Sequence, residues 1–177
     1  MIALDKIIDN NLDNSFILID TNFIIEYYKY RKDFENLIKL LSLRKCTYFT
    51  LHEIYLEFIR GSNIRQITKK KKDLWNTLKI ATLNVDPEIR SNTEKIIEIY
   101  RTKGEKLDIT DFYLGATLMK FYDSKTLLLT SNVKHFNCNL FDIKYVLPVE
   151  HEELISTFYL YKFSIKKYQK ALEKYTK

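Results

Sequence analysis

With 177 residues, of which 46% are hydrophobic, the chain is long enough to bury one sizeable core, and a single globular domain is predicted. Only three glycines and two prolines interrupt it, which argues against a turn-rich β-sandwich and for long helices with short connections. No run of about 20 apolar residues and no signal-peptide pattern occurs, so we expect a cytoplasmic protein without a membrane segment. The net charge of +6 suits an anionic partner such as nucleic acid, although a Lys- and Asn-rich genome explains it equally well.

Short apolar runs alternate with helix-like segments, a pattern that predicts an α/β fold with a mainly parallel sheet. The five predicted strands are 16–19, 47–50, 81–85, 126–130 and 145–149. The continuously apolar centre of the fourth run is typical of a strand that helices cover on both faces. We therefore expect a three-layer α/β/α sandwich with a mainly parallel five-stranded sheet in residues 1–150.

Helical spacing of apolar residues predicts helices between these strands, at 51–60, 63–78, 87–103 and 111–119. Gly61 and Gly104 fit the left-handed position that ends a helix, and Pro87 fits a first turn. The segment 151–177 is predicted to be a C-terminal helical tail packed on the domain or on a second subunit. Cys46 and Cys138 are expected to be reduced thiols.

The first predicted strand stops abruptly at Asp20, Thr21 and Asn22. Open α/β sheets bind their ligands at the carboxyl ends of the strands, so Asp20 is a candidate for a functional carboxylate. The alternative is that these residues only cap the following helix. Because one polar residue is enough for a cap, the other two remain to be explained.

Two further acids lie in apolar surroundings. Glu57 sits within a run of Ile, Leu and Phe, with Glu53 one turn earlier on the same helix face; an exposed acidic stripe is the alternative, and Glu53 replaces Glu57 if the helix register differs. Asp111 opens an apolar helix, and Asp108 is placed to cap it. Complementarity to the helix dipole is the alternative explanation of Asp111. Buried carboxylates without partners are costly, so three of them together imply a cation.

Polar residues also follow the fourth predicted strand. If the first and fourth strands are neighbours, Asn132 arrives beside Asp20, where its amide oxygen can bind a hard cation or position a water. An ordinary turn explains the same residues. The histidines at positions 52, 135 and 151 lack the spacing of zinc ligands.

Four stretches, in this order, resemble the motifs of the PIN domain family of metal-dependent nucleases, particularly the small VapC-like toxins of toxin–antitoxin pairs. The stretch 19–22 is similar to the first acidic motif, 57–61 to a helix-borne Glu followed by Gly, and 111–116 to the third motif. The stretch 130–136 resembles the fourth. The resemblance covers residues 16–149 and implies the PIN fold.

The fourth stretch departs from the family pattern, because Asn132 and His135 stand where acids are common. Three carboxylates remain, which suit Mg²⁺ or Mn²⁺ as cofactor. The resemblance implies an endoribonuclease in which Asp20, Glu57 and Asp111 bind the metal and Asn132 assists catalysis. Secondary candidates are Asp108, Glu53, Thr21 and Asn22. Predicted contacts to RNA are Arg60, Arg65, Lys69, Lys70, Thr130, Lys134 and His135.

A toxin of this family implies a cognate antitoxin and a homodimer as partners. Two other functions stay open at this point. One is a non-catalytic PIN-like protein that binds RNA or regulates, in which the missing fourth acid reflects lost chemistry. The other is a structure-selective DNA nuclease, which is less favoured because the chain lacks the insertions such enzymes usually carry.

Overall fold

The computed structural model describes residues 9–101, 107–136, 140–151 and 154–175; the predictions for Gly104 and Cys138 fall outside these ranges. The strands are β1 (Phe16–Ile19), β2 (Thr47–Leu51), β3 (Ala81–Leu83), β4 (Thr126–Thr130), β5 (Phe141–His151) and β6 (Leu154–Phe163). The α-helices are α1 (Thr21–Lys29), α2 (Arg31–Leu43), α3 (His52–Ile59), α4 (Ile64–Asp73), α5 (Pro87–Arg101), α6 (Ile109–Lys120) and α7 (Ile165–Tyr175). A 3-10 turn (Asn10–Leu12) precedes β1, and a π-helical turn (Leu74–Leu78) follows α4.

In the described part of the chain, six strands form one sheet in the order β3-β2-β1-β4-β6-β5. Strands β1 to β4 are parallel, with Ile19 of β1 opposite Leu129 of β4, whereas β6 runs antiparallel to both of its neighbours. The predicted α/β fold with a parallel core is confirmed. The predicted number of five strands is wrong, because a sixth strand joins the sheet.

That sixth strand lies in the predicted helical tail. Residues Leu154–Phe163 form β6, and only Ile165–Tyr175 form a helix. Phe158 and Leu160 are two residues apart, lie on the same face of β6 and are fully buried. This spacing is the period-two pattern of a strand. Since β6 lies between β4 and β5, it belongs to the same sheet as the preceding strands.

Helices cover both faces of the sheet. Phe23 of α1 and Phe34 of α2 pack edge-on against Phe158 of β6. Phe163 is five positions from Phe158 and therefore points to the opposite face, where it contacts Phe141 of β5. On that opposite face Gly115 of α6 packs against the Phe141 ring. The three-layer prediction is therefore confirmed.

Several local predictions also match the structure. Pro87 is the first residue of α5, and Gly61 follows α3 with a φ of 77°. The basic segment begins with a reciprocal capping box between Asn63 and Gln66. Among the described residues, no helix is long and apolar enough to cross a membrane.

Candidate active site

The carboxyl ends of β1 and β4 meet at one edge of the sheet. Because Ile19 pairs with Leu129 in parallel register, the next residue of each strand, Asp20 and Thr130, lies at this edge. The Thr130 hydroxyl is fully buried and donates a hydrogen bond of 2.6 Å to Oδ2 of Asp20. The predicted adjacency of the first and fourth strands therefore holds, and Thr130 is the residue that contacts Asp20.

Asp20 both caps a helix and carries a buried charge. Its Oδ1 accepts a 2.6 Å bond from the backbone N–H of Thr21, and its Oδ2 accepts a 2.6 Å bond from the Asn22 amide. The side chain is only 6% exposed. Burial raises the pKa of Asp20 to about 6, against the opposing Thr130 hydrogen bond and with further increases from Asp111 and Glu57. The capping explanation is correct but leaves this charge without a cationic partner.

Glu57 is held at the same edge by α1. The Thr21 hydroxyl donates a 2.7 Å hydrogen bond to Oε2 of Glu57, which projects from the last turn of α3. Glu57 is partly exposed, unlike Asp20. The hydroxyl and backbone N–H of Thr21 thus bind one carboxylate each, and this accounts for the second polar residue after β1.

Asn22 accounts for the third. Its amide nitrogen donates to Asp20 and also, at 2.8 Å, to the Thr130 hydroxyl, while its Oδ1 accepts from the backbone N–H of Ser131 at 3.2 Å. Asn22 therefore ties the start of α1 to the end of β4. Such a bridge fixes the Asp20 side chain from two sides.

Asp111 contacts the segment after β4 instead of Asp20 directly. Its Oδ2 is 2.7 Å from Nδ1 of His135, and its Oδ1 is 3.5 Å from the Asn132 amide nitrogen. The same Nδ1 lies 2.6 Å from the Asn132 amide. Burial raises the pKa of Asp111, whereas the neighbouring His135 lowers it. Asn132 and His135 are thus partners of Asp111, a pairing that spacing alone did not indicate.

The secondary acids behave differently from each other. Asp108 occupies the N-cap position of α6 but makes no side-chain capping bond, so its predicted capping role is wrong. It is exposed, and its charge raises the pKa of Asp111. Glu53 has a buried Oε2 without a hydrogen-bond partner.

The model of the PIN domain family matches residues 17–133, which is more than half of the chain and runs from the second residue of β1 to beyond the end of β4. The chain belongs to the PIN domain family. No curated protein matches it. PIN domains are typically metal-dependent nucleases, and the match spans the three carboxylates and Asn132 but ends before His135, β5 and β6.

The donor set of this PIN domain fits a hard divalent cation. Asp20, at the N-cap of α1, is close enough to Glu57 of α3 and Asp111 of α6 for their charges to raise its pKa. In the described residues none of these three carboxylates forms an ion pair with Lys or Arg. Within the same residues, no three His, Cys, Asp or Glu side chains are already close enough to share an ion. Without a cation the carboxylates repel each other, and each takes its own hydrogen-bond donors. Binding therefore requires side-chain rotation toward a common point.

Two of the predicted RNA contacts have other roles. Thr130 is fully buried and bonded to Asp20, so it is not available to a ligand strand. The Lys70 ammonium donates to the Phe58 carbonyl oxygen at 2.8 Å and lies 4.3 Å from the centre of the Phe58 ring. The prediction for Thr130 is wrong because of its burial, whereas Lys70 is engaged within the fold but partly exposed, so its RNA contact stays a prediction. Four basic residues are exposed as an RNA contact requires: Arg60, Arg65, Lys69 and Lys134.

Proposed function

We propose that this PIN domain is a divalent-metal-dependent endoribonuclease, which cleaves RNA phosphodiester bonds. The observation that carries the proposal is the Asp20 carboxylate, which is buried beside two further carboxylates and has no described Lys or Arg as partner. Buried negative charge costs free energy, and a bound cation removes that cost. The family relationship supports the same chemistry.

Asp20, Glu57 and Asp111 are the residues that would hold Mg²⁺ or Mn²⁺. Such an ion, when bound, supplies positive charge that lowers the pKa of an attacking water and offsets charge on the scissile phosphate. The protein keeps the carboxylates oriented through Thr21 and Thr130, each of which donates a hydrogen bond to one of them. Asn132, beside Asp111, orients a ligand or water. No covalent enzyme intermediate is needed.

The RNA strand is bound by exposed positive charge. Arg60 and Arg65 flank the loop between α3 and α4, and Lys134 follows β4 next to the acidic edge. Lysines and arginines that bind phosphates release counterions, so affinity falls as salt concentration rises. We therefore expect RNA binding of this PIN domain to depend strongly on ionic strength.

We further propose that the protein is the toxin of a toxin–antitoxin pair and works in the cytoplasm as a homodimer. The family includes many VapC toxins, and the family match covers Asp20, Glu57 and Asp111. The antitoxin would insert a segment near the acidic edge and offer an Arg to its carboxylates. Co-expression with the product of a neighbouring short gene, followed by co-purification, tests this part of the proposal.

A second candidate function is RNA binding or regulation without catalysis. It is favoured by one observation: both Asp111 oxygens already contact Asn132 and His135, and in the described residues no three potential ligands converge. In a non-catalytic protein this arrangement persists, and divalent ions bring little stabilisation. Metal binding therefore separates the two functions.

The decisive experiment measures metal binding and cleavage on the same preparation. Metal-stripped protein is titrated with Mn²⁺ while its unfolding midpoint is followed, and structured RNA and DNA are incubated with and without EDTA. We expect an Mn²⁺-dependent rise of the midpoint and RNA cleavage that EDTA abolishes. Asp20→Asn and Asp111→Asn should remove cleavage and retain the fold, whereas Asp123→Asn, at an exposed acid, should cleave normally.

Three outcomes contradict the proposal. Cleavage by the Asp20→Asn variant at the wild-type rate rejects the assigned site. RNA binding without any response to Mn²⁺ or EDTA favours the non-catalytic function. Cleavage of DNA in preference to RNA favours a DNA nuclease.

A further inference from the structure

We propose that the imidazole of His135 is a direct ligand of the divalent ion and gives the site a preference for Mn²⁺ and other first-row transition ions over Mg²⁺. This inference rests on the proposed metal-dependent function and specifies the donor set of that site. It concerns a residue beyond the segment that matches the family model, which ends at residue 133.

The first argument is the position of Nδ1. This nitrogen lies 2.7 Å from Oδ2 of Asp111, a carboxylate already assigned to the metal. Two neighbouring ligands of an octahedral ion with bonds of about 2.1 Å are about 3 Å apart. The His135 and Asp111 donor atoms are thus within a few tenths of an ångström of that separation. A small side-chain rotation admits an ion between them.

The second argument is what the ring nitrogens contact. Nδ1 faces the acidic cluster, whereas no residue of the described chain forms a hydrogen bond with Nε2. Metal binding uses the lone pair of Nδ1, and the hydrogen of the neutral ring is then on Nε2, where water accepts it. The ring is 28% exposed, which gives Nε2–H access to that water. Both nitrogens then have a partner.

The backbone of His135 is independently fixed. Its carbonyl oxygen accepts a 3.1 Å hydrogen bond from the Tyr100 hydroxyl, and the next residue, Phe136, is buried against Phe141. These contacts anchor the segment on α5 and β5. The backbone of His135 therefore stays beside the acidic edge whether or not the ring contacts Asp111, which keeps the imidazole within reach of an ion bound there.

The third argument is ligand chemistry. Carboxylates suit Mg²⁺ and Mn²⁺ alike, but an imidazole nitrogen binds transition ions more readily than Mg²⁺. His135 adds a nitrogen and no negative charge. Adding the imidazole to three carboxylates therefore raises the affinity for Mn²⁺ more than the affinity for Mg²⁺. The His135 side chain determines the ratio of the two affinities.

A merely positioning role predicts something else. If His135 only donates a hydrogen bond to Asp111, the bound ion has oxygen ligands alone, and replacing His135 weakens Mg²⁺ and Mn²⁺ binding equally. Pulsed EPR of bound Mn²⁺ distinguishes these cases, because a coordinated nitrogen produces a ¹⁴N modulation that ¹⁵N-labelled histidine changes. This readout does not depend on cleavage.

The experiment loads metal-stripped wild-type protein with Mn²⁺ and records the spectrum with natural and ¹⁵N-labelled histidine. His135→Asp replaces the nitrogen by oxygen, and His52→Gln, at an exposed histidine, is the matched control. We expect nitrogen coupling in wild type and in the control, and none in His135→Asp. The ratio of Mn²⁺ to Mg²⁺ affinity should fall about tenfold in His135→Asp, the scale on which partners of a metal site act.

The outcomes are separable. Bound Mn²⁺ without nitrogen coupling in wild type overturns this inference and leaves the metal-dependent function intact. The wild-type spectrum decides even if a variant does not fold. An unchanged affinity ratio in folded His135→Asp also overturns it. Failure of wild type to bind Mn²⁺ at all overturns both this inference and the proposed function.

Discussion

Replacing Asp20 with asparagine should stabilise the metal-free protein at neutral pH. Burial is the main reason that the pKa of Asp20 rises from 3.8 to about 6. Between these values the folded state binds more protons than the unfolded state, so stability falls as the pH rises through this window. The free-energy cost of the buried Asp20 charge is absent below pH 3.8 and complete above about pH 6. There the difference in pKa corresponds to about 3 kcal/mol of unfolding free energy.

Asparagine retains part of what Asp20 contributes. It caps helices about as well as aspartate, so the bond from the Thr21 N–H survives. Its amide nitrogen, however, takes the place of Oδ2, which in wild type accepts from both the Asn22 amide and the Thr130 hydroxyl. The hydroxyl can turn to accept, but the mismatch with the Asn22 amide costs about 1 kcal/mol. A net gain of about 2 kcal/mol remains, which raises the midpoint of a domain of this size by about 4–8 °C.

Urea unfolding in EDTA, repeated at several pH values from about 4 to 8, measures this effect. The stability difference between Asp20→Asn and wild type should grow as the pH rises, whereas Asp123→Asn should show no such trend. Adding Mn²⁺ should stabilise wild type and not Asp20→Asn. A difference that is independent of pH, or a variant less stable than wild type throughout, refutes the argument that Asp20 carries an uncompensated buried charge.

Three further predictions concern other contacts. Thr21→Val removes the hydrogen bond to Glu57 and should weaken Mn²⁺ affinity about tenfold, while Thr21→Ser restores it; equal affinity of the two variants in a calorimetric titration contradicts the assignment. Gly115→Ala should destabilise the protein by about 1–3 kcal/mol in urea, because its Cβ would lie 3.1 Å from a phenylalanine ring on β5, and a stabilised variant rejects that packing. Lys70→Met should cost about 1 kcal/mol of stability and leave the salt dependence of RNA affinity unchanged, whereas Lys134→Met should lower that slope by about one; the opposite result would exchange their roles.

Much of the parallel core could be predicted from the sequence because its signals are local. An apolar run that ends in Asp20 marks a strand, its direction and the edge that it reaches. The helices of Glu57 and Asp111 were recognisable from spacing and from Gly61, whose positive φ ends the first of them. Burial of Asp20 and Asp111 follows from the apolar residues around them, whereas Glu57 is partly exposed.

The hydrogen-bond partners could not be predicted in the same way. Whether Thr130 faces RNA or Asp20 depends on the register of two strands that are 110 residues apart in the chain. Lys70 resembles any lysine of a basic run until α4 is placed against α3, where the Phe58 carbonyl is within reach. Pairing of His135 with Asp111 likewise depends on where the segment after β4 turns.

The tail was misjudged for a related reason. Its aromatic residues fit a helix face almost as well as a strand, and only the gap between β4 and β5 decides between them. That position in the sheet depends on long-range strand pairing, which a short stretch of sequence does not reveal. The prediction was therefore right for 165–175, where no sheet position competes, and wrong for 154–163.

The location of β6 has a consequence for biosynthesis. Strand β4, which brings Thr130 to Asp20, has one unpaired edge until β6 has left the ribosome. Of the described strands, β6 is the last to be made. An open edge on a strand that is wholly buried in the finished fold favours association with other chains. A chain that stops before β6 therefore already carries Asp20, Glu57 and Asp111, but on a sheet whose β4 edge is unpaired, and we expect it to aggregate.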